Sequence, residues 1–172
     1  MLDGRPILQH VLDVAAVSVL GPVVVVLGDA AAEIERAMTW RGELRVVNPD
    51  PDRGLSSSVQ LGLATLAAEA PEVRRAVVLL GDQPRLGADQ LGLLLDQPLD
   101  AARPIVVPRY ADGRPGNPVL LEREAWPLAE TLDGDRGMVQ LFAAHSALVR
   151  YVDVPGANTD VDTPDDLARI LI

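Results

Sequence analysis

The chain has 172 residues, 48% of them hydrophobic, with 14 glycines and 14 prolines, enough for one domain with a sizeable core and too few for two ordinary ones. Its 25 acidic residues against 15 basic ones leave a formal net charge of −10, which argues against a nucleic-acid clamp or docking on an anionic membrane, since both need a basic face. Cysteine and lysine are both absent, so disulfides, thiolate zinc sites, a lysine Schiff base and a Walker-type lysine are ruled out.

The opening Met1-Leu2-Asp3-Gly4-Arg5-Pro6 has neither the basic nor the apolar region of a signal peptide. A helix is predicted over 6–17, with Ile7, Val11 and Val14 at helical spacing. The apolar stretch that continues to Leu27 is broken by Gly21-Pro22 and reads as two elements, not a membrane span. A strand follows at 23–27, ending at Gly28-Asp29, then a helix over 30–38 with Asp29 as its N-cap. A strand at 44–47 precedes a helix over 57–69, whose Val59, Leu63 and Leu66 form one stripe behind a serine cap. The strand at 76–80 ends at Gly81-Asp82, and a helix covers 88–95. Strands at 104–107 and 118–121, a helix over 136–144, a strand at 148–152 and a helix over 164–171 complete the chain. These unalternating apolar runs between helices predict one α/β domain over 1–172 with a Rossmann-like, doubly wound, mostly parallel sheet. A soluble, cytoplasmic location is the expectation.

Ligands of such sheets lie beyond the carboxyl ends of the strands, so polar residues placed there are the candidates. Asp82, in Gly81-Asp82-Gln83-Pro84, is placed either to hold Mg²⁺ beside a phosphate or to act as a turn aspartate. Asp160 and Asp162 are two apart and share one face of an extended segment, where a divalent cation would relieve their repulsion. Thr163-Pro164-Asp165-Asp166 behind them reads as a capped helix start. Asn48 and the run Arg53-Gly54-Leu55-Ser56-Ser57-Ser58 offer backbone and hydroxyl donors to an anion or a base edge, although serine also caps helices. Arg109, Arg114 and Asn117 lie in a loop that is either a plain hairpin turn or a substrate-facing surface. Asp135 starts a turn into a helix, as an N-cap or beside an anion. His10 and His145 have no partner at metal spacing and read as structural.

Taken in order, Gly54-Leu55-Ser56-Ser57-Ser58, Gly81-Asp82-Gln83-Pro84, Gly116-Asn117-Pro118, Gly134-Asp135-Arg136-Gly137 and Asp160-Val161-Asp162-Thr163-Pro164 resemble the molybdenum cofactor cytidylyltransferases within the wider class of MobA-like nucleotidyltransferases, over essentially the whole chain. The resemblance implies a nucleotide-diphospho-sugar transferase type of fold. It implies transfer of CMP from CTP, or of another nucleotide such as GTP, to the terminal phosphate of a molybdopterin-type acceptor, with release of pyrophosphate and Mg²⁺ as cofactor. Asp82, Asp160 and Asp162 would be catalytic and hold the metal. Asn48, Gly54, Ser56, Ser57, Ser58 and Gln83 would lie along the nucleotide, and Arg109, Asn117 and Asp135 would face the acceptor. A molybdenum hydroxylase apoenzyme would be a partner.

That family opens with a strand and a Gly-rich loop of the type L-A-A-G-x-S-x-R-M-G, and Leu2-Asp3-Gly4-Arg5-Pro6 resembles the stretch just downstream. A chain that lacks this first strand, loop and linker, roughly 20 to 25 residues by ordinary βα lengths, is expected to show weak or no transferase activity. It is also expected to leave the strands at 23–27 and 76–80 with open edges or a gap between them, and so to dimerise or aggregate. A catalytically silent pterin- or nucleotide-binding module is the competing expectation.

Overall fold

The computed structural model describes residues 1–170, so the last position of the predicted helix over 164–171 lies outside the described residues. In chain order the elements are α1 (Ile7–Val17), β1 (Val24–Leu27), α2 (Ala31–Ala37), β2 (Leu44–Val47), α3 (Leu55–Glu69), β3 (Arg75–Val78), α4 (Ala88–Leu95), β4 (Ile105–Arg109), β5 (Val119–Glu122), α5 (Gly137–Ala144), β6 (Val149–Asp153) and α6 (Pro164–Ile170). Each predicted helix and strand forms, with ends displaced by a few residues at most.

The differences have local causes. Helix α2 starts behind Ala30, with no side-chain cap from Asp29. Helix α3 starts at Leu55 because Gly54, at φ 85° and ψ −176°, adopts a conformation essentially restricted to glycine and turns the chain into the helix. The serines therefore occupy the first turn instead of the cap. A 3-10 run over Arg123–Thr131 has no counterpart in the periodicity. Pro127 inside it lacks the N–H an α-helix would use, while Ala125, Trp126 and Ala129 are buried.

The strands form two separate sheets. β1 and β2 pair in parallel, from Val24 opposite Leu44 to Leu27 opposite Val47. The larger sheet has the order β3-β5-β4-β6, with β4 and β6 parallel and β5 antiparallel to both neighbours. Among the described residues no ladder joins β1 to β3.

Helices cover both faces of the large sheet. Val59, Leu63 and Leu66 of α3 and Leu141 and Phe142 of α5 pack with Ile105, Val107, Val119 and Leu121. Leu94 of α4 packs on the opposite face with Val106 and Leu120. Alternate residues of β4 and β5 thus enter different clusters while all stay buried, the condition that produces an apolar run without polar alternation. Leu12 of α1 covers β1 through Val25 and Leu27.

The sheet also contains a buried ion pair. Arg150 donates to Glu122 at 2.7 Å, with side-chain exposures of 9% and 2%. Arg150 Nε and Nη1 donate to the carbonyls of Arg103 and Pro98, each at 2.8 Å. Glu122 also accepts from the Asp100 N–H. Full hydrogen bonding is what makes such a desolvated pair tolerable.

Candidate active site

Strand β3 runs out through Leu79 and Leu80 to Gly81 and Asp82. A Cβ at Gly81 would lie 3.2 Å from Leu8 Cδ1 of α1, so the chain passes close under that helix. The half-buried Asp82 carboxyl is pushed above the usual carboxylate range. Burial is the largest cause, and the negative charge of Asp160 and then of Asp162 adds to it. Its Oδ1 is buried with no hydrogen-bond partner.

The second acidic segment reaches Asp82 from the far end of the sequence. Beyond β6 the chain turns at Gly156 and crosses the carboxyl end of the sheet, where the Val161 N–H donates to the Asp82 carbonyl at 2.9 Å. Buried Gln83 then fixes the segment with both ends of its amide. Its Nε2 donates to Asp160 Oδ1 at 2.5 Å, and its Oε1 accepts from Asn158 Nδ2 at 2.7 Å.

Asn117 joins the same region because β5 is antiparallel. The amino end of β5 therefore lies beside the carboxyl ends of β3 and β4. The Asn117 carbonyl accepts from Tyr110 Oη at 2.5 Å and from Asn158 Nδ2 at 3.2 Å, and the buried Oδ1 atoms of Asn117 and Asn158 have no partner. Burial pushes the Tyr110 hydroxyl up to about 12, so it stays a neutral donor at physiological pH.

The remaining predicted residues are placed differently. Asn48 follows β2 and is buried, and its Nδ2 donates to Ser57 Oγ at 2.8 Å and Ser58 Oγ at 3.1 Å. Ser57 Oγ also donates to the Gly54 carbonyl, and the fully buried Ser56 has its hydroxyl on the Arg53 carbonyl. These groups hold the turn into α3. Asp135 belongs to a 3-10 turn at Gly134–Arg136 packed on that turn. A Cβ at Gly54 would lie 2.5 Å from Asp135 Oδ1 and 2.5 Å from the Gly134 carbonyl carbon. The carboxylate thus stands at the amino end of α3, the favourable end of the helix dipole. Arg109 and Asp153 are register partners at the carboxyl ends of β4 and β6 and form an exposed ion pair at 2.7 Å. Arg114 lies in the exposed turn between Tyr110 and Pro115, against Asp112 at 3.8 Å. Thr163 and Asp166 exchange side-chain and backbone hydrogen bonds at the start of α6, a reciprocal cap.

The structure therefore brings together Asp82, Gln83, Asn117, Asp160 and Asp162, and leaves Asn48, Gly54, Ser56, Ser57, Ser58 and Asp135 as a second cluster at the α3 turn. Asn158 and Tyr110 were not singled out from the sequence. The available signal was a polar Asn158 two residues before the first paired aspartate. Among the described residues no three acidic or histidine side chains are grouped closely enough to hold a metal ion by themselves. A carboxylate oxygen with no donor, on a group raised in pKa by burial and then by two neighbouring carboxylates, fits the chemistry of a hard divalent cation. No described helix is long and apolar enough to cross a membrane.

The chain is similar to known proteins in sequence and fold. Rv0371c from Mycobacterium tuberculosis H37Rv has 34% sequence identity and a TM-score of 0.84, over 96% of this chain and 82% of that one. A structure of Rv0371C complexed with manganese has 33% identity and a TM-score of 0.82, over 96% of this chain and 85% of that one. The bifunctional protein GlmU of Bordetella petrii is 34% identical over 94 residues, which span 55% of this chain and 20% of GlmU. The chain thus spans about a fifth of the length of the curated relatives it matches. The MobA-like NTP transferase domain matches residues 1–150; the chain belongs to that family.

Proposed function

We propose that the protein is a nucleotidyltransferase that moves CMP from CTP to the terminal phosphate of a molybdopterin-type acceptor, with Asp82, Asp160 and Asp162 as holders of Mg²⁺. The observation that carries the reading is the convergence of Asp82 with the Asp160 segment, with Asp82 Oδ1 left buried and unpaired. In the transfer an acceptor phosphate oxygen bonds to the α-phosphorus while the bond from that phosphorus to the bridging oxygen breaks, and pyrophosphate leaves with the electron pair. This chemistry needs alignment and charge neutralisation more than a protein nucleophile.

Bound Mg²⁺ supplies positive charge that stabilises the reacting phosphates. Asp82 offers an oxygen at the strand end, and Gln83 orients Asp160 toward it through the 2.5 Å hydrogen bond. The Asn158 amide ties that clamp to the Asn117 carbonyl and keeps the acceptor side of the site in register with the metal side. Asn48 and the serine turn shape the nucleotide side, and Arg109 offers a cation at the rim for the acceptor phosphate. The manganese complex of Rv0371C, which is 33% identical to this chain, supports a divalent ion as the cofactor.

Release of pyrophosphate, measured with CTP or GTP, Mg²⁺ and molybdopterin, tests the reading. Turnover with CTP and a fall of about 100-fold or more in kcat for Asp82→Asn are expected. Turnover with GTP alone, or with an acceptor that carries no pterin, would replace the substrate assignment. No pyrophosphate from either nucleotide, together with no binding of Mn²⁺, would overturn the reading as a whole.

A further inference from the structure

We propose that Asn158 is a positioning residue that sets the direction of the Gln83 amide, leaves Asp160 one oxygen for a cation, and so makes the site prefer Mg²⁺ or Mn²⁺ to Ca²⁺. The inference rests on the reading of Asp82, Asp160 and Asp162 as holders of a divalent ion.

Gln83 carries donors at one end of its amide and an acceptor at the other, and its neighbours decide which end faces Asp160. The Asn117 backbone carbonyl can only accept, and Asn158 Nδ2 donates to it at 3.2 Å. The same nitrogen also donates to Gln83 Oε1 at 2.7 Å. Gln83 Nε2 is thereby turned toward Asp160 Oδ1, to which it donates at 2.5 Å. The reversed amide would set an oxygen against the Asp160 carboxylate and an NH₂ group against that of Asn158. Asn158 Oδ1 is buried with no partner, so the nitrogen of Asn158, not its oxygen, places this amide. Gln83 is itself buried, where a mispaired polar group is costly.

The path of the segment does not depend on this side chain. Before Asn158, the Val154 N–H donates to the Arg109 carbonyl at 3.0 Å. The Pro155 carbonyl accepts from Gln90 Nε2 at 2.7 Å and the Gly156 carbonyl from the Ala111 N–H at 3.3 Å. After it, the Val161 N–H is bonded to the Asp82 carbonyl. With the backbone anchored on both sides, what the Asn158 amide adds is direction. Because Gln83 occupies Oδ1 of Asp160, a cation takes this carboxylate through Oδ2 alone unless the clamp breaks. Ligation through one oxygen suits the octahedral shell of Mg²⁺, whereas Ca²⁺ readily takes both oxygens of a carboxylate.

Calorimetric titration with Mn²⁺ and with Ca²⁺, without nucleotide, tests this on the protein and on Asn158→Leu, Gln83→Leu and the double variant. The unsubstituted protein should bind Mn²⁺ more tightly than Ca²⁺. Asn158→Leu should weaken Mn²⁺ binding by about 10-fold or more and Ca²⁺ binding less, because Asp160 regains its second oxygen. Gln83→Leu should do the same, and the double variant should add little, since both changes act on one hydrogen bond. Equal weakening of both ions, or an unchanged ratio of their affinities in Asn158→Leu, would overturn the proposal and leave the reading of the metal holders standing. No Mn²⁺ binding by the unsubstituted protein would overturn both. Nuclear magnetic resonance of the unsubstituted protein gives a measurement that no variant's folding affects. The Gln83 Nε2 proton, held on a carboxylate, should resonate downfield of ordinary side-chain amides with and without Mg²⁺. An ordinary position in both conditions would overturn the proposal.

Discussion

Asp82 lies in an environment that opposes its ionisation. Its carboxyl is raised by burial first, then by Asp160 and Asp162, so the folded state holds its proton more tightly than the unfolded chain. For a carboxyl shifted in that direction, stability is greater below the unfolded value and is lost as pH rises through the raised folded value. Above that window the ionised Asp82 is a burden on the fold. Asp82→Asn should therefore raise the melting temperature at neutral pH while removing the binding of a divalent cation. Thermal melts of both proteins at pH 7, with and without Mn²⁺, check this: the variant should be the more stable without the ion and should not respond to it. Asp82 was legible in the sequence because it closes an apolar strand run, and Asp160 and Asp162 because they stand two apart on an extended segment. Gln83 as the clamp that joins them was not legible, since its partners Asp160 and Asn158 are separated from it by most of the second half of the chain.

At the scale of elements, the amino end of α3 is the most tightly specified junction. Gly54 combines a glycine-only backbone conformation with direct contact to the 3-10 turn that carries Asp135. Gln60, one turn into α3, donates to the carbonyls of Ala129, Glu130 and Leu132 and so fixes the same helix against the 3-10 run after β5. Gly54→Ala should cost at least about 1–3 kcal/mol from the backbone alone. The new Cβ also meets the Gly134 backbone, which has no flexible atoms to move aside. Urea unfolding should show a lower midpoint with an unchanged slope if native structure persists up to the transition. The Gly-Leu-Ser-Ser-Ser run marked this turn from the sequence, but the three hydroxyls could be read as facing a ligand. Their engagement with Asn48, Gly54 and Arg53 depends on Asn48 returning from β2, which no local pattern encodes.

At the scale of the whole molecule, the large sheet carries a desolvated ion pair where apolar residues would be expected. Removing one partner leaves the other charge buried, at a cost of about 3–5 kcal/mol. Glu122→Ala should accordingly lower the melting temperature by on the order of 10 °C, and Glu122→Met combined with Arg150→Met should recover most of that loss. Calorimetry of the single and double variants measures the difference. Glu122 directly follows the strand predicted at 118–121 and Arg150 lies inside the one predicted at 148–152, and nothing local to either run marks their pairing across the sheet. By itself the sequence determined the kind and order of the helices and strands and the positions of the carboxylates, because burial on both faces imposes apolar runs and strand ends impose turn residues, and both are local properties of the chain. Only the tertiary structure decided which strand ends meet. The antiparallel insertion of β5 and the return of the Asp160 segment to Asp82 both depend on hydrogen bonds between segments distant in sequence, and these are set by how the layers pack together.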